Sequence, residues 1–395
     1  MVWKLTRFEL KKALCSKFFA IMCCLLLTVN VALSCDNWKN FGNPKAVTDT
    51  LREEYELING LTQQERSAFE AAMIEKYGED VFSDSFFPMG DMLEELMRYP
   101  GYFGQKFCDL DIIFGINGLR RTNRTNEDWR EYVISAAKSL GREALKEGDS
   151  YGVRRNLSII KLYSQTREEL TNQCTWNIFF LNDIPVLLSL LLILQICAGI
   201  FTKETDQQTW ILLHTSKNGM GKTMAAKFLA AALSSVGIAL LFSAVNLLVV
   251  YLDIGLLGIS QPVTVIQELY LFPYAFTVGQ AMALFTLCRM FAVVLMAVLL
   301  CTISALSRSS VVSYSIGAVV LGGAAAMAFY LPRTEWLAGP LALVFPLRFF
   351  NSFYTANIFG FPVLWAIVQA ILWTALAAVS VAVSHKVYHR KRRKV

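Results

Sequence analysis

Long apolar segments are the feature that most limits how this chain can fold. Along its 395 residues, six such segments are each long enough to cross a bilayer as a helix. With 55% hydrophobic and 17% charged residues, the chain is also more apolar than a soluble globular protein. The sequence therefore predicts an all-α polytopic membrane protein with six transmembrane helices. These spans are residues 18–34, 184–201, 228–251, 289–306, 311–331 and 362–384.

The distribution of charge predicts the orientation of these spans. The large polar segment 35–183 carries 18 Lys and Arg against 25 Asp and Glu. On the other side of the spans, residues 1–17, the loop 202–227, the turn at Arg308 and the tail 385–395 carry 16 Lys and Arg against three acids. Because basic segments remain on the cytoplasmic side, we expect both termini to be cytoplasmic. The net charge of +6 thus reflects topology, and no nucleic-acid partner is expected.

The first 17 residues predict an amphipathic helix on the inner membrane surface. Trp3, Leu5 and Phe8 alternate there with lysine and arginine, as in helices that lie in a bilayer interface. A cleaved signal peptide is the competing interpretation, since a charged start precedes the apolar run. No small-residue cleavage site follows, so we expect residues 18–34 to remain as the first span.

The segment 35–183 predicts a mainly helical extracytoplasmic domain. Apolar residues recur at helical spacing over residues 48–77 and 126–147, and Asn126 is a candidate cap for the second helix. The domain contains Cys35, Cys108 and Cys174, which allow one disulfide among them, and the sequence does not decide whether it forms.

Two further segments, 252–288 and 332–361, are also expected outside. The first contains no Lys or Arg, and Arg289 after it is expected to reach the outer headgroups. The second is broken by Pro332, Pro340 and Pro346 but is rich in aromatic residues. It therefore either lies in the outer interface or enters the membrane and returns.

The loop 202–227 contains GMGKT, residues 219–223, which is similar to the end of a phosphate-binding loop. The full pattern requires a glycine where this chain has Ser216, and it follows a hydrophobic strand rather than a membrane helix. We therefore expect no nucleotide site, and no other cofactor site, on this chain.

Other chemical sites are not indicated. His385 and His389 lie in a basic tail that is a poor metal site, and no catalytic constellation is recognisable. The most polar groups at span centres are Gln195, Asn246 and Gln369. We expect these amides to hydrogen-bond between helices, although they could instead line a path. The lack of ionisable groups at span centres argues against ion-coupled transport.

The layout resembles the permease subunit of an ATP-binding-cassette (ABC) transporter of the type 2 exporter class. The resemblance rests on RFELKK in the amphipathic helix, six spans, a broken outer segment before the last span, and the loop 202–227. In that loop the matching residues are Glu204, Ile211 to Leu213, Thr215, Gly221, Lys222 and Lys227, with Lys222 where arginine is usual. A large domain between the first two spans resembles a subset of these permeases in Gram-positive bacteria, which implies a bacterial plasma membrane.

The resemblance implies a transport subunit that is not itself an enzyme. A separate cytoplasmic ABC ATPase would bind ATP and Mg²⁺, and the permease would form a homodimer or pair with a second permease. The coupling residues implied are Glu204, Gln207, Gln208, Leu212, Leu213, Thr215, Gly221 and Lys222. The substrate would be an amphipathic lipid, peptide or drug.

Two other functions remain open from the sequence. The chain could be a membrane sensor or immunity protein whose outer domain binds a peptide or envelope component. A membrane enzyme is a third hypothesis, which would need a cluster of His, Asp or Glu near the outer surface.

Overall fold

The computed structural model describes residues 2–41, 62–78, 109–165, 176–206, 219–254, 258–330 and 335–391. Within these residues, six helices are long and apolar enough to cross a membrane. The protein is therefore mainly helical and of the multi-pass membrane class. The helices that contain these candidate spans are α2 (Lys17–Phe41), α7 (Ile184–Asp206), α8 (Gly219–Ile254), α9 (Val278–Leu306), α10 (Ser310–Tyr330) and α12 (Trp365–Lys391).

The remaining elements are shorter or lie outside the candidate spans. They are α1 (Val2–Leu14), α3 (Gln63–Tyr77), α4 (Asp109–Glu147), α5 (Ser150–Tyr163), α6 (Asn177–Leu181), α11 (Leu347–Phe350) and the strands β1 (Thr355–Ile358) and β2 (Phe361–Leu364). Short 3-10 turns cover Val263–Val265, Gln267–Leu269 and Glu335–Val344.

The helix α7 is the centre of the bundle. It packs against α2, α8, α9 and α10, and 72% of the residues in the most apolar stretch of this span are buried. The helix α12 lies at the rim of the bundle, where only 11% of the residues in its most apolar stretch are buried. Exposed leucines and valines cover the outer surfaces of α2, α8, α10 and α12. Such faces suit contact with lipid or with another membrane helix.

Several helices are longer than the sequence predicts. The helix α9 begins at Val278 rather than at residue 289, and α12 extends seven residues beyond 384. The helices α7 and α8 extend into the predicted loop 202–227, so that only residues 207–218 between them lie outside the described part. The motif GMGKT forms the first turn of α8. Polar residues at these helix ends do not interrupt the helices because backbone hydrogen bonding continues through them.

The segments that the sequence places outside contact one another at one end of the bundle. The antiparallel helices α4 and α5 pack together, and Asn126 donates to the carbonyl oxygen of Thr264 at 3.1 Å. Asn126 is thus inside α4 and is not the helix cap that the sequence predicts. Tyr151 donates to the carbonyl oxygen of Thr355 at 3.1 Å, which ties α5 to β1.

The strands β1 and β2 form a small hairpin in an otherwise helical chain. Ile358 pairs with Phe361 across a two-residue turn in which Phe359 and Gly360 both have positive φ. Two positive φ angles are the signature of the tight turn that matches strand twist. Upstream, residues 341–345 are buried, and the turn Glu335–Val344 packs against α9.

Candidate functional site

A buried lysine joins three helices at the end of the bundle opposite the α4–α5 hairpin. Lys227 in α8 has 0% exposure, and its Nζ lies 2.7 Å from Glu204 Oε1 of α7 and 3.4 Å from Glu9 Oε1 of α1. The same ammonium group donates to the carbonyl oxygen of Ile200 at 2.6 Å. We call Glu9, Glu204 and Lys227 the Lys227 cluster.

The amphipathic pattern of α1 explains how Glu9 reaches this position. Thr6 and Glu9 are three residues apart and therefore lie on one face of the helix, and both are buried. Trp3 and Phe8 are 63% and 64% exposed, and Leu5 is half-buried. The helix thus buries Thr6 and Glu9 against the bundle and leaves Trp3 and Phe8 at the surface, where Lys4 and Arg7 are also exposed. This orientation agrees with an interfacial helix whose apolar face enters lipid.

The helix α7 supplies the second carboxylate by its own periodicity. Ile200 and Glu204 are four residues apart, so that the carbonyl oxygen of Ile200 and the Glu204 carboxylate approach Lys227 from one face of α7. The ring of Phe201 lies 5.5 Å from the Lys227 ammonium, within the range of a cation–π contact. A buried ammonium group is stable only where such partners replace water.

The predicted coupling residues are divided between the interior and the surface. Glu204 is 5% exposed and faces Lys227, so its carboxylate is inside the bundle. Lys222 in the first turns of α8 is exposed, and Gly221 is half-buried with His385 Nε2 4.0 Å from the position that a Cβ would take. Gln207, Gln208, Leu212, Leu213 and Thr215 lie outside the described residues.

A second contact links the same end of α7 to α10. Asp206 Oδ2 accepts from the backbone N–H of Ser310 at 3.2 Å and from the Ser310 hydroxyl. Thr202 Oγ1 lies 3.0 Å from Ser310 Oγ. A carboxylate at the start of α10 stabilises the partial positive charge of that helix end. The end of α7 is therefore tied to α1, α8 and α10.

Arg289 forms an ion pair inside the bundle towards the opposite end. It is 4% exposed and bonds to Asp183 at the break between α6 and α7. Its guanidinium also donates to the carbonyl oxygens of Phe180 and Val344, each at 3.4 Å. The expectation that Arg289 reaches the headgroups is wrong, because the helix begins at Val278 and buries it. Arg289 is three residues from the middle of α9, so the premise that ionisable groups are lacking at span centres is wrong for this helix.

The three span amides differ in their contacts. Asn246 of α8 accepts from Asn182 Nδ2 at 3.0 Å, and Asn182 lies in the break between α6 and α7 rather than in a helix. Gln369 instead accepts from Trp373 in its own helix, at 2.7 Å. Gln195 Oε1 is buried without a hydrogen-bond partner among the described residues. It lies beside the cleft described below.

An apolar groove of about 400 Å³ lies between the later part of α8 and the first turn of α9. Its volume is within the roughly 300–1,000 Å³ of small-molecule sites in proteins. Exposed Leu248 and Tyr251 lie at its α8 side and buried Trp176 and Met282 at its inner side. The groove can accommodate an apolar group, and its lining supplies no charge.

Among the described residues, no three His, Cys, Asp or Glu side chains could hold a metal ion. Cys35 is free, while Cys108 and Cys174 lie outside the described residues, so the disulfide remains open.

Comparison with known proteins adds no further assignment. No family model matches the chain, and no curated protein or solved structure matches it.

Sequence reasoning did not predict the pairing of Glu9 with Lys227. Glu9 was counted as an acid in a basic segment and lies within RFELKK, and Lys227 was matched only as the last residue of the loop 202–227. A signal was present, because Glu9 shares the polar face of an amphipathic helix with Thr6, and Lys227 follows Met224 and Ala226 directly before an apolar run. A charge at that border needs a buried partner or water.

Proposed function

We propose that this chain is the membrane subunit of an ATP-driven ABC exporter and works with a separate cytoplasmic ATPase. The observation that carries the proposal is the Lys227 cluster. It joins the amphipathic helix α1 to the ends of α7 and α8, the two helices on either side of residues 207–218. This is the loop whose residues resemble a coupling segment.

The cluster suggests how movement would pass into the membrane. An ATPase that displaces the loop would pull on α7 and α8 together, because Lys227 holds the two helices within one buried ion pair. The bond from Glu9 would draw α1 along with them. Packed helices respond to such displacement by moving as rigid elements rather than by bending gradually. In this proposal Glu204 is a positioning residue, and exposed Lys222 is a candidate contact for the ATPase.

The proposed substrate is amphipathic. The apolar groove beside Trp176 and Tyr251 would accept a hydrophobic part of it, and the α4–α5 hairpin would contribute at the outer face. The partner permease would be a second copy or a paired chain. Support comes from α10, where Gly322 and Gly323 have open space around them that would let another helix approach closely.

The proposal is tested by purifying the tagged chain from its native membranes and measuring ATP hydrolysis. We expect Mg²⁺-dependent hydrolysis by a bound ATPase, and less bound ATPase when Lys222→Ala removes the exposed cation. Lys4→Ala is the matched control, because it removes an exposed lysine from α1.

The sensor or immunity hypothesis predicts a different outcome. It would be favoured if the intact, monodisperse chain carried no ATPase and kept its cellular function in a strain without the ATPase. The docking of α4 and α5 on residues 264 and 355 is the observation that keeps this hypothesis open, since it builds an outer surface from three separate segments.

A further inference from the structure

A shallow cleft opens beside the Lys227 cluster. It lies between α1, the start of α2 and α7, and its enclosed volume is about 30 Å³, enough for about two water molecules, so a larger ligand would occupy its open mouth. Lys12 of α1 and Lys203 of α7 line it, together with Ser16, Phe19 and Ile196. We call it the lysine cleft.

Both lysines are available to a ligand. Neither has a carboxylate within ion-pair distance among the described residues, and both are exposed. The Lys203 stem folds back over Gly199, since a Cβ at residue 199 would lie 2.8 Å from Lys203 Cε.

The other polar groups leave a net positive site. The Glu9 carboxylate lines the cleft, and its Oε1 is 3.4 Å from Lys227, which also pairs with Glu204. Gln195 adds an amide whose oxygen has no hydrogen-bond partner among the described residues. With Lys12 and Lys203, three ammonium groups face two carboxylates, and this net charge of +1 favours an anion.

The apolar lining identifies the kind of anion. Buried Phe19 and Ile196 form the inner part of the cleft, and the exposed apolar surface of α2 begins next to it at Phe18 and continues through Ile21 and Leu25. A free phosphate would gain nothing from this surface, whereas a phospholipid would place its acyl chains there. Basic residues near the ends of membrane helices attract anionic lipids in this way.

We propose that the lysine cleft binds the phosphate headgroup of an anionic phospholipid from the adjacent leaflet. Lys12 and Lys203 contact the phosphate, and the acyl chains follow α2. The bound lipid lies beside Glu9 and therefore next to the helix that the Lys227 cluster holds. This inference does not depend on a transport function.

The test is a lipid titration of the delipidated full chain, followed by native mass spectrometry. Phosphatidylglycerol, phosphatidylcholine and inorganic phosphate are added in separate arms. We expect selective binding of phosphatidylglycerol and about five-fold weaker binding for each of Lys12→Gln and Lys203→Gln, from the usual contribution of one lysine near an anionic lipid. Lys11→Gln removes an exposed charge from α1 outside the cleft and should leave the affinity near that of the wild type.

Gly199→Ala tests whether lipid binding depends on the position of Lys203 in the cleft or only on the net charge. The new methyl group displaces the Lys203 stem while the charge stays the same, so it should weaken phosphatidylglycerol binding. Equal losses in Lys11→Gln and Lys203→Gln, equal binding of phosphatidylcholine, or displacement of the lipid by inorganic phosphate at equal concentration would each overturn the proposal. Phosphatidylcholine uptake and a monodisperse elution profile show that each variant is folded.

Discussion

Replacing Lys227 by methionine is the perturbation that tests the buried cluster most severely. The variant keeps the length and apolar stem of the side chain but removes the ammonium group, so Glu9 and Glu204 both lose their shared ion-pair partner. Lys227 is fully buried and Glu204 is 5% exposed, so water cannot readily replace the lost partner. Both carboxylates must then be protonated, hydrated or displaced.

The structure indicates the size of the effect. At the 2.7 Å between Lys227 Nζ and Glu204 Oε1, an effective dielectric constant near 20 gives an attraction of about 6 kcal/mol before the cost of desolvation. Removing one partner of a buried pair usually costs about 3–5 kcal/mol. We expect Lys227→Met to lower the free energy of unfolding by that amount. Glu9→Gln should cost less, because Glu9 is the more distant carboxylate.

The assay is reversible unfolding of the purified chain in mixed micelles with increasing SDS, followed by tryptophan fluorescence. The triple variant Glu9→Gln, Glu204→Gln and Lys227→Met removes all three charges and should recover most of the lost stability. Wild-type stability in Lys227→Met alone would refute the reasoning. The same conclusion would follow if the triple variant were less stable than Lys227→Met.

Three further predictions concern other parts of the chain. Arg289→Met should lower the free energy of unfolding by about 3–5 kcal/mol in the same assay, because it leaves Asp183 without its buried partner. Adding Asp183→Asn should restore part of the lost stability. A nitroxide-labelled lipid should quench fluorescence from Trp3 in a variant that retains only this tryptophan, since the side chain is 63% exposed on the surface of α1; no quenching would contradict an interfacial position for this helix. The Thr62 hydroxyl and N–H lower the pKa of Glu65 by hydrogen bonding to its carboxylate. The N-terminal cap of α3 should therefore be stable above the usual glutamate pKa and weaken as the pH falls through the lowered value. Amide exchange in α3 that does not become faster at low pH, after correction for intrinsic rates, would contradict this prediction.

The sequence predicted the parts of the fold that depend on hydrophobic length. Six apolar segments became six candidate spans, because a run of about 20 apolar residues has few alternatives to a buried or membrane helix. The ends were less well predicted. The helix α9 begins at Val278, and α7 and α8 extend into the predicted loop 202–227. These helix ends depend on tertiary packing and backbone continuity, which local polarity predicts poorly.

The candidate site was predicted only in part. The loop pattern identified Glu204, but it suggested a surface residue, whereas the structure buries the side chain against Lys227. The partner Glu9 is 218 positions away from Lys227, and periodicity within one helix carries no information on such a contact. Arg289 and Asp183 are a similar case, since their separation of 106 positions hides the pair from any local pattern.

The central claim is that α1 and the ends of α7 and α8 move as one unit when a partner ATPase binds ATP. Paired spin labels at Lys4 of α1 and the exposed Ala225 of α8 measure this directly by pulsed electron resonance in the complex, with a second pair at Ala225 and Lys386 of α12 as reference. Because α12 packs mainly on α9, the account predicts that trapping ATP changes the second distance and leaves the first unchanged. A change in the Lys4–Ala225 distance on trapping, or no change in either pair, would contradict it.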